Sequence, residues 1–104
     1  MNTTPIDNVL LAITAQPGLE EPLVDWLLTK RSEQGFSSFP IYGHSSQHEG
    51  LTLSEQVSGR KRSIQFQIKL DSGKLTAFIR ELENEFKDTG LHYWVIPIIE
   101  DGRI

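Results

Sequence analysis

The sequence predicts a single α+β domain in which an antiparallel four-stranded sheet carries two helices on one face. Strand and helix patterns follow each other in the order β-α-β-β-α-β, so the chain contains two successive strand–helix–strand units. The length of 104 residues suits one domain spanning residues 1–104. Two of the four strand patterns contain a proline, which is typical of the two edges of a small sheet.

The first half of the chain begins with a strand pattern over residues 8–14, which is apolar at nearly every position and is therefore predicted to be central. A helix pattern follows over residues 19–30. Its apolar stripe consists of Leu19, Leu23, Trp26 and Leu27, with Leu28 as a further candidate. The strand pattern over residues 36–42 contains Pro40, which cannot donate a ladder hydrogen bond, so this strand is predicted to be an edge.

The second half begins with residues 63–70, where apolar and polar residues alternate strictly. The apolar face consists of Ile64, Phe66, Ile68 and Leu70, and the polar face of Gln65, Gln67 and Lys69. A second helix is predicted to begin at a cap on Asp71 or Ser72 and to end at Gly90. Its apolar stripe consists of Leu75, Phe78, Ile79, Leu82 and Phe86.

The last strand pattern covers residues 93–99 and contains Pro97, so it is predicted to be the other edge. The first and third strands are then central. This arrangement is the ferredoxin-like β-α-β-β-α-β sandwich.

Both faces of the first and last strands are apolar, although two helices cover only one face of the sheet. Large exposed apolar patches are rare on monomers, so we expect another copy of the chain to cover the second face. Gln65, Gln67 and Lys69 would then lie near a more polar centre of that contact. The alternative is a monomer with an apolar sheet face.

Composition excludes several classes of function. The net charge of −4 does not suit the neutralisation of a phosphate backbone, so we expect no nucleic-acid partner. The absence of cysteine removes disulfides and thiolate ligands. No apolar run has the length of a membrane span, and residues 1–8 lack the features of a signal peptide, so a cytoplasmic location without membrane insertion is expected. No nucleophile motif or H-E-x-x-H motif is present, so the chain is not expected to be an enzyme.

Two histidines and a carboxylate, His44, His48 and Glu49, lie close together in the long polar segment 43–59. Imidazole and carboxylate bind divalent transition metals, and histidine suits zinc, copper, nickel and cobalt alike. Glycines and serines nearby disfavour the helix on which an i, i+4 pair shares one metal. The residues therefore leave two interpretations, a divalent-metal site or two exposed loop histidines.

Three consecutive cations, Arg60, Lys61 and Arg62, precede the third strand. Arginine there can clamp a phosphate or a carboxylate. The alternative is a solvated strand entrance whose cations pair with Glu49, Glu55 or Asp71.

Three stretches carry a resemblance: "DWLL" at 25–28, "GHSSQHEGLTLSEQVSGRKR" at 43–62 and "YWVIP" at 93–97. They resemble an uncharacterised group of small PII-like proteins, often associated with heavy-metal efflux systems. The layout over nearly the whole chain also resembles the PII signal-transduction proteins and the CutA proteins, both ferredoxin-like trimers. In PII proteins the segment matching 43–59 is a mobile loop, the T-loop.

The resemblance implies a trimeric sensor that binds a small effector in clefts between subunits and signals through the 43–59 loop. The effector residues would be Gly43 and Gly90, which match glycines of the PII patterns, together with Arg60, Lys61 and Arg62. A transporter or its regulator is the implied partner. The alternative is a CutA-like divalent-metal-binding protein linked to metal homeostasis or efflux, with His44, His48 and Glu49 as ligands.

The chain departs from the PII pattern at the nucleotide site. No cation follows Gly43 directly, Thr89-Gly90 lacks the second glycine-rich turn, and the basic C-terminal segment is reduced to Arg103. A phosphate cradle needs consecutive free amides and cations. These departures argue against ATP or ADP as the ligand.

Overall fold

The computed structural model describes residues 6–30, 35–44 and 60–104. The elements are β1 (Asn8–Ala15), α1 (Glu20–Thr29), β2 (Phe36–His44), β3 (Arg60–Asp71), α2 (Leu75–Glu85) and β4 (His92–Ile98). This order confirms the predicted ferredoxin-like α+β fold. No helix in the described ranges is both long enough and apolar enough to cross a membrane.

The four strands form one antiparallel sheet in the order β2-β3-β1-β4. The two prolines lie on its edges, where Pro40 is paired with Ile64 and Pro97 with Val9. Proline is tolerated there because an edge strand needs only one of its two hydrogen-bonding sides. The prediction that the second and fourth strands are edges is therefore confirmed.

Both helices begin differently from the prediction. Each follows a short 3-10 turn, Pro17–Leu19 before α1 and Ser72–Lys74 before α2. The predicted cap on Asp71 or Ser72 is wrong, because neither side chain caps a helix. The Ser72 hydroxyl donates instead to the backbone oxygen of Ile6 at 2.7 Å and so holds the chain that leads into β1.

The core lies between the helices and one face of the sheet. Its buried residues are Leu11, Ile13, Ala15, Leu23, Leu27, Phe66, Ile68 and Leu82. Burial of each large side chain contributes about 1.5–3 kcal/mol. Trp26 packs edge-on against Phe78 and Phe86, at centroid distances of 5.5 and 5.7 Å, and so joins α1 to α2.

The second face of the sheet carries no helix within the described ranges. We call it the open face. Its central positions are, by register, Ser37, Phe39, Gln65, Gln67, Lys69, Leu10, Ala12, Thr14, His92, Trp94 and Ile96. Trp94 and Ile96 keep 41% and 46% of their surface exposed, and Phe39 keeps 37%. The expected apolar second face is thus present.

Candidate functional site

The β2–β3 hairpin extends beyond the rest of the sheet. The last pair that joins β1 to β3 is Ala15 with Ile64. The β2–β3 ladder continues past this level and ends with Gly43 opposite Lys61 and His44 opposite Arg60. The predicted loop therefore overlaps β2 at its first two residues, and its remainder, residues 45–59, lies outside the described residues.

A cation stacks on an aromatic ring in this hairpin. The Cζ atom of Arg60 lies 4.4 Å from the ring centroid of Tyr42, and both side chains are exposed. Stacking on the ring holds the planar guanidinium in place, and an exposed guanidinium can bind a carboxylate or a phosphate through its N–H groups. Tyr42 is not among the site residues predicted from the sequence. Tyr42 and His44 are two residues apart on β2, and they pair with Arg62 and Arg60 on β3, so the four side chains share one face of the hairpin.

The other predicted cations divide between the two faces of the hairpin. Lys61 is half-buried and lies on the face of Gly43, whereas Arg62 is exposed opposite Tyr42. Alternation along a strand imposes this division. Arg60 and Arg62 therefore share a face, and Lys61 does not join them.

Of the predicted metal ligands, the structure describes only one. His44 is the last residue of β2 and is exposed, whereas His48 and Glu49 lie outside the described residues. Within the described ranges, no group of three histidine, aspartate or glutamate side chains is arranged to hold a metal. The metal site stays a prediction.

Gly90 lies at a pocket on the opposite edge of the sheet. The pocket has a volume of about 300 Å³. Its lining residues are Leu82, Glu83, Phe86, Lys87, Asp88, Gly90, Leu91 and Tyr93. Gly90 has a φ of 80° and Asp88 a φ of 62°, so the chain turns into β4 through two left-handed residues. The lining combines apolar and charged side chains, which suits a small amphipathic molecule.

The hairpin and the pocket lie at the same end of the sheet. β4 starts at His92, which is level with Thr14 and, across β3, with Phe39 on β2. β2 runs towards this end and β4 runs away from it. Since three strand spacings separate the two edges, they lie about 14 Å apart in one chain. The structure therefore does not bring Gly43 and Arg60 together with Gly90 within a single copy.

Comparisons with known proteins agree with this geometry. The family DUF3240, described as a protein of unknown function, matches residues 6–104. The crystal structure of a DUF3240 family protein from Shewanella baltica OS155 is 25% identical, with a TM-score of 0.73 over 94% of this chain and 97% of that chain. No curated protein matches the chain significantly.

Two further solved structures share the fold at lower identity. The periplasmic divalent cation tolerance protein CutA from Archaeoglobus fulgidus is 18% identical, with a TM-score of 0.66 over 92% of this chain and 88% of that chain. The GlnK–ATP complex from B. subtilis is 11% identical, with a TM-score of 0.59 over 91% of this chain and 87% of that chain. The expected relation to the PII and CutA fold is thus confirmed.

Proposed function

The chain belongs to the DUF3240 family, and we propose that it is a PII-like regulatory protein that assembles as a homotrimer and binds a small effector between copies. The observation that carries the proposal is the position of two incomplete half-sites. The cationic hairpin and the pocket beside Gly90 lie at one end of the sheet but on opposite edges. A ring of identical copies that places β2 of one beside β4 of the next would join them.

The strand directions support such a ring. Because the sheet is antiparallel and has four strands, its two edges run in opposite directions. Neighbouring copies placed edge to edge would therefore meet as antiparallel strands, which is a favourable pairing. The exposed Trp94 and Ile96 of the open face would be covered inside the ring. The number three follows from the resemblance to PII and CutA proteins.

The proposed cleft combines two kinds of surface. One copy supplies an apolar floor with Leu82 and Phe86, and its neighbour supplies Arg60 stacked on Tyr42. Such a site suits a small anion with an apolar body, and its role is binding rather than catalysis. The bound effector would select one arrangement of the segment 43–59, through which the protein would contact a transporter or its regulator. A cytoplasmic location stays a prediction.

Mixed oligomers test whether the site spans two copies. One variant removes the hairpin half with Arg60→Ala, and another removes the pocket half with Tyr93→Ala. A thermal-shift panel of inorganic phosphate, dicarboxylates and nucleotides on the wild type first identifies a binding anion. Calorimetry then measures that anion on each variant and on the two variants after joint refolding.

Each variant alone should lose binding, whereas the mixture should recover about one quarter of the wild-type sites, because only some interfaces contain two intact halves. Failure of the mixture to recover any site, with both variants assembled, would contradict a site between copies. Wild-type affinity in both single variants would exclude the two named half-sites.

A second candidate function is the binding of a divalent metal. His44 is exposed at the end of β2, and a protein of the same fold has a name that refers to divalent cation tolerance. Calorimetry with zinc, copper and nickel should then show heats that fall in His44→Ala and His48→Ala but not in the control Asn84→Ala, an exposed position on α2. Equal heats in all three variants and the wild type would exclude the His44 site.

A further inference from the structure

A polar track crosses the open face beside the apolar side chains of Trp94 and Ile96. The side-chain amide of Gln67 donates from Nε2 to Oε1 of Gln65 at 3.4 Å, and Nε2 of Gln65 donates to Oγ1 of Thr14 at 3.5 Å. The bonds thus run in one direction, from Gln67 through Gln65 to Thr14. Both are longer than the usual range of about 2.7–3.2 Å, so the three groups retain the capacity to bind a closer partner.

Gln65 is nearly buried although no described helix covers it. It retains 9% exposure, whereas Phe39 beside it on the same row of the sheet retains 37%. A buried amide needs hydrogen-bond partners, because an unsatisfied one costs about 1–3 kcal/mol. These two bonds do not use the Gln67 amide oxygen or the Thr14 hydroxyl hydrogen. The first can accept a hydrogen bond from another group, and the second can be donated to one.

The chemistry of the track suits an identical copy of the chain. Amide and hydroxyl groups each donate and accept, so such a group can bond to the same group of another copy. A single charge in the same place would instead meet a like charge. Lys69, which follows Gln67 on the same face of β3, is already paired with Asp101 at 2.8 Å.

We propose that Thr14, Gln65 and Gln67 fix the register in which copies of this chain pack through their open faces, an inference that rests on the proposed assembly. Apolar contacts around Trp94 and Ile96 supply most of the attraction, but they tolerate sliding between copies. Hydrogen bonds between tracks restrict the contact to one arrangement, since any other leaves a covered amide unpaired. The track therefore determines a single oligomeric state.

Two substitutions at Gln67 test this role, with Asn84→Asp as the control, which makes the same change from amide to carboxylate at an exposed position on α2. Gln67→Leu keeps the size and removes the polarity. Gln67→Glu adds a like charge to every copy. Native mass spectrometry and sedimentation velocity measure the oligomers, and circular dichroism confirms the fold of each variant.

Gln67→Leu should give more than one oligomer with no loss of thermal stability. Gln67→Glu should raise the concentration at half-dissociation on the order of tenfold at pH 7, and this difference should shrink near pH 4, where the carboxyl is largely protonated. Asn84→Asp should match the wild type at both pH values.

A single wild-type oligomer in Gln67→Leu, together with unchanged dissociation of Gln67→Glu, would overturn the role of the track while leaving the assembly intact. A wild-type protein that is monomeric would overturn the assembly itself.

Discussion

The guanidinium of Arg60 lies over the ring of Tyr42, with Cζ 4.4 Å from the ring centroid, where the β2–β3 hairpin extends past the rest of the sheet. Cation–π contacts at exposed sites contribute about 0.5–1 kcal/mol. A double-mutant cycle with Tyr42→Ala and Arg60→Ala should therefore show a coupling free energy of this size in urea unfolding. Tyr42→Phe keeps the ring and should retain the coupling. A coupling free energy of zero would show that the contact does not persist in solution.

Two leucines of α1 form a matched pair for the core. Leu23 is fully buried, whereas Leu28 keeps 64% of its surface exposed. Leu23→Ala should lower the free energy of unfolding by about 2–5 kcal/mol, because it leaves a cavity. Leu28→Ala should change it by less than about 0.5 kcal/mol. Equal losses in chemical denaturation would show that α1 packs in a different orientation.

The turn at the pocket depends on a left-handed glycine. Gly90 has a φ of 80°, and no atom lies within 4 Å of a Cβ placed there, so only the backbone conformation opposes a side chain. Gly90→Ala should destabilise the protein by about 1–2 kcal/mol, and Gly90→Asn by less. The control Gly73→Ala, also in open space but without a positive φ, should be neutral or slightly stabilising. Thermal unfolding of the three variants measures these changes in stability. An unchanged stability of Gly90→Ala would contradict the left-handed turn at this position.

An ion pair links the C-terminal end of α1 to the middle of α2. Lys30 Nζ lies 2.9 Å from Glu81 Oε2 and also 4.5 Å from the ring centroid of Trp26. Because the Glu81 side chain is 57% exposed, Glu81→Gln should cost less than about 1 kcal/mol, and the loss should shrink in high salt. Glu85→Gln on the same helix is the control, and urea unfolding at low and high salt is the measurement. A loss that persists unchanged in high salt would refute a screened surface pair.

The fold was predictable because its signals are local and strong. Strict alternation over residues 63–70 leaves one orientation for β3, and the proline positions identify both edges. The helix starts were not predictable from capping patterns, because the Ser72 hydroxyl binds the backbone of Ile6, 66 residues earlier in the chain. Such a contact exists only after β1 and β3 have paired.

The candidate site was predictable only in part. The cations 60–62 were identified as an anion-binding group, but their division between two faces follows from the extension of β3 to Arg60. The pocket beside Gly90 combines the end of α2 with the start of β4, residues that no short motif connects. The proposed second half of the site lies on the other edge of the sheet, about 14 Å away within one chain, and a linear pattern cannot show that separation.

The proposed site requires copies of this chain to assemble around their open faces. Sedimentation equilibrium of the wild-type protein at micromolar concentration measures this assembly. We expect a single species with three times the mass of the 104-residue chain. A species with the mass of one chain, stable over the whole concentration range, would contradict it.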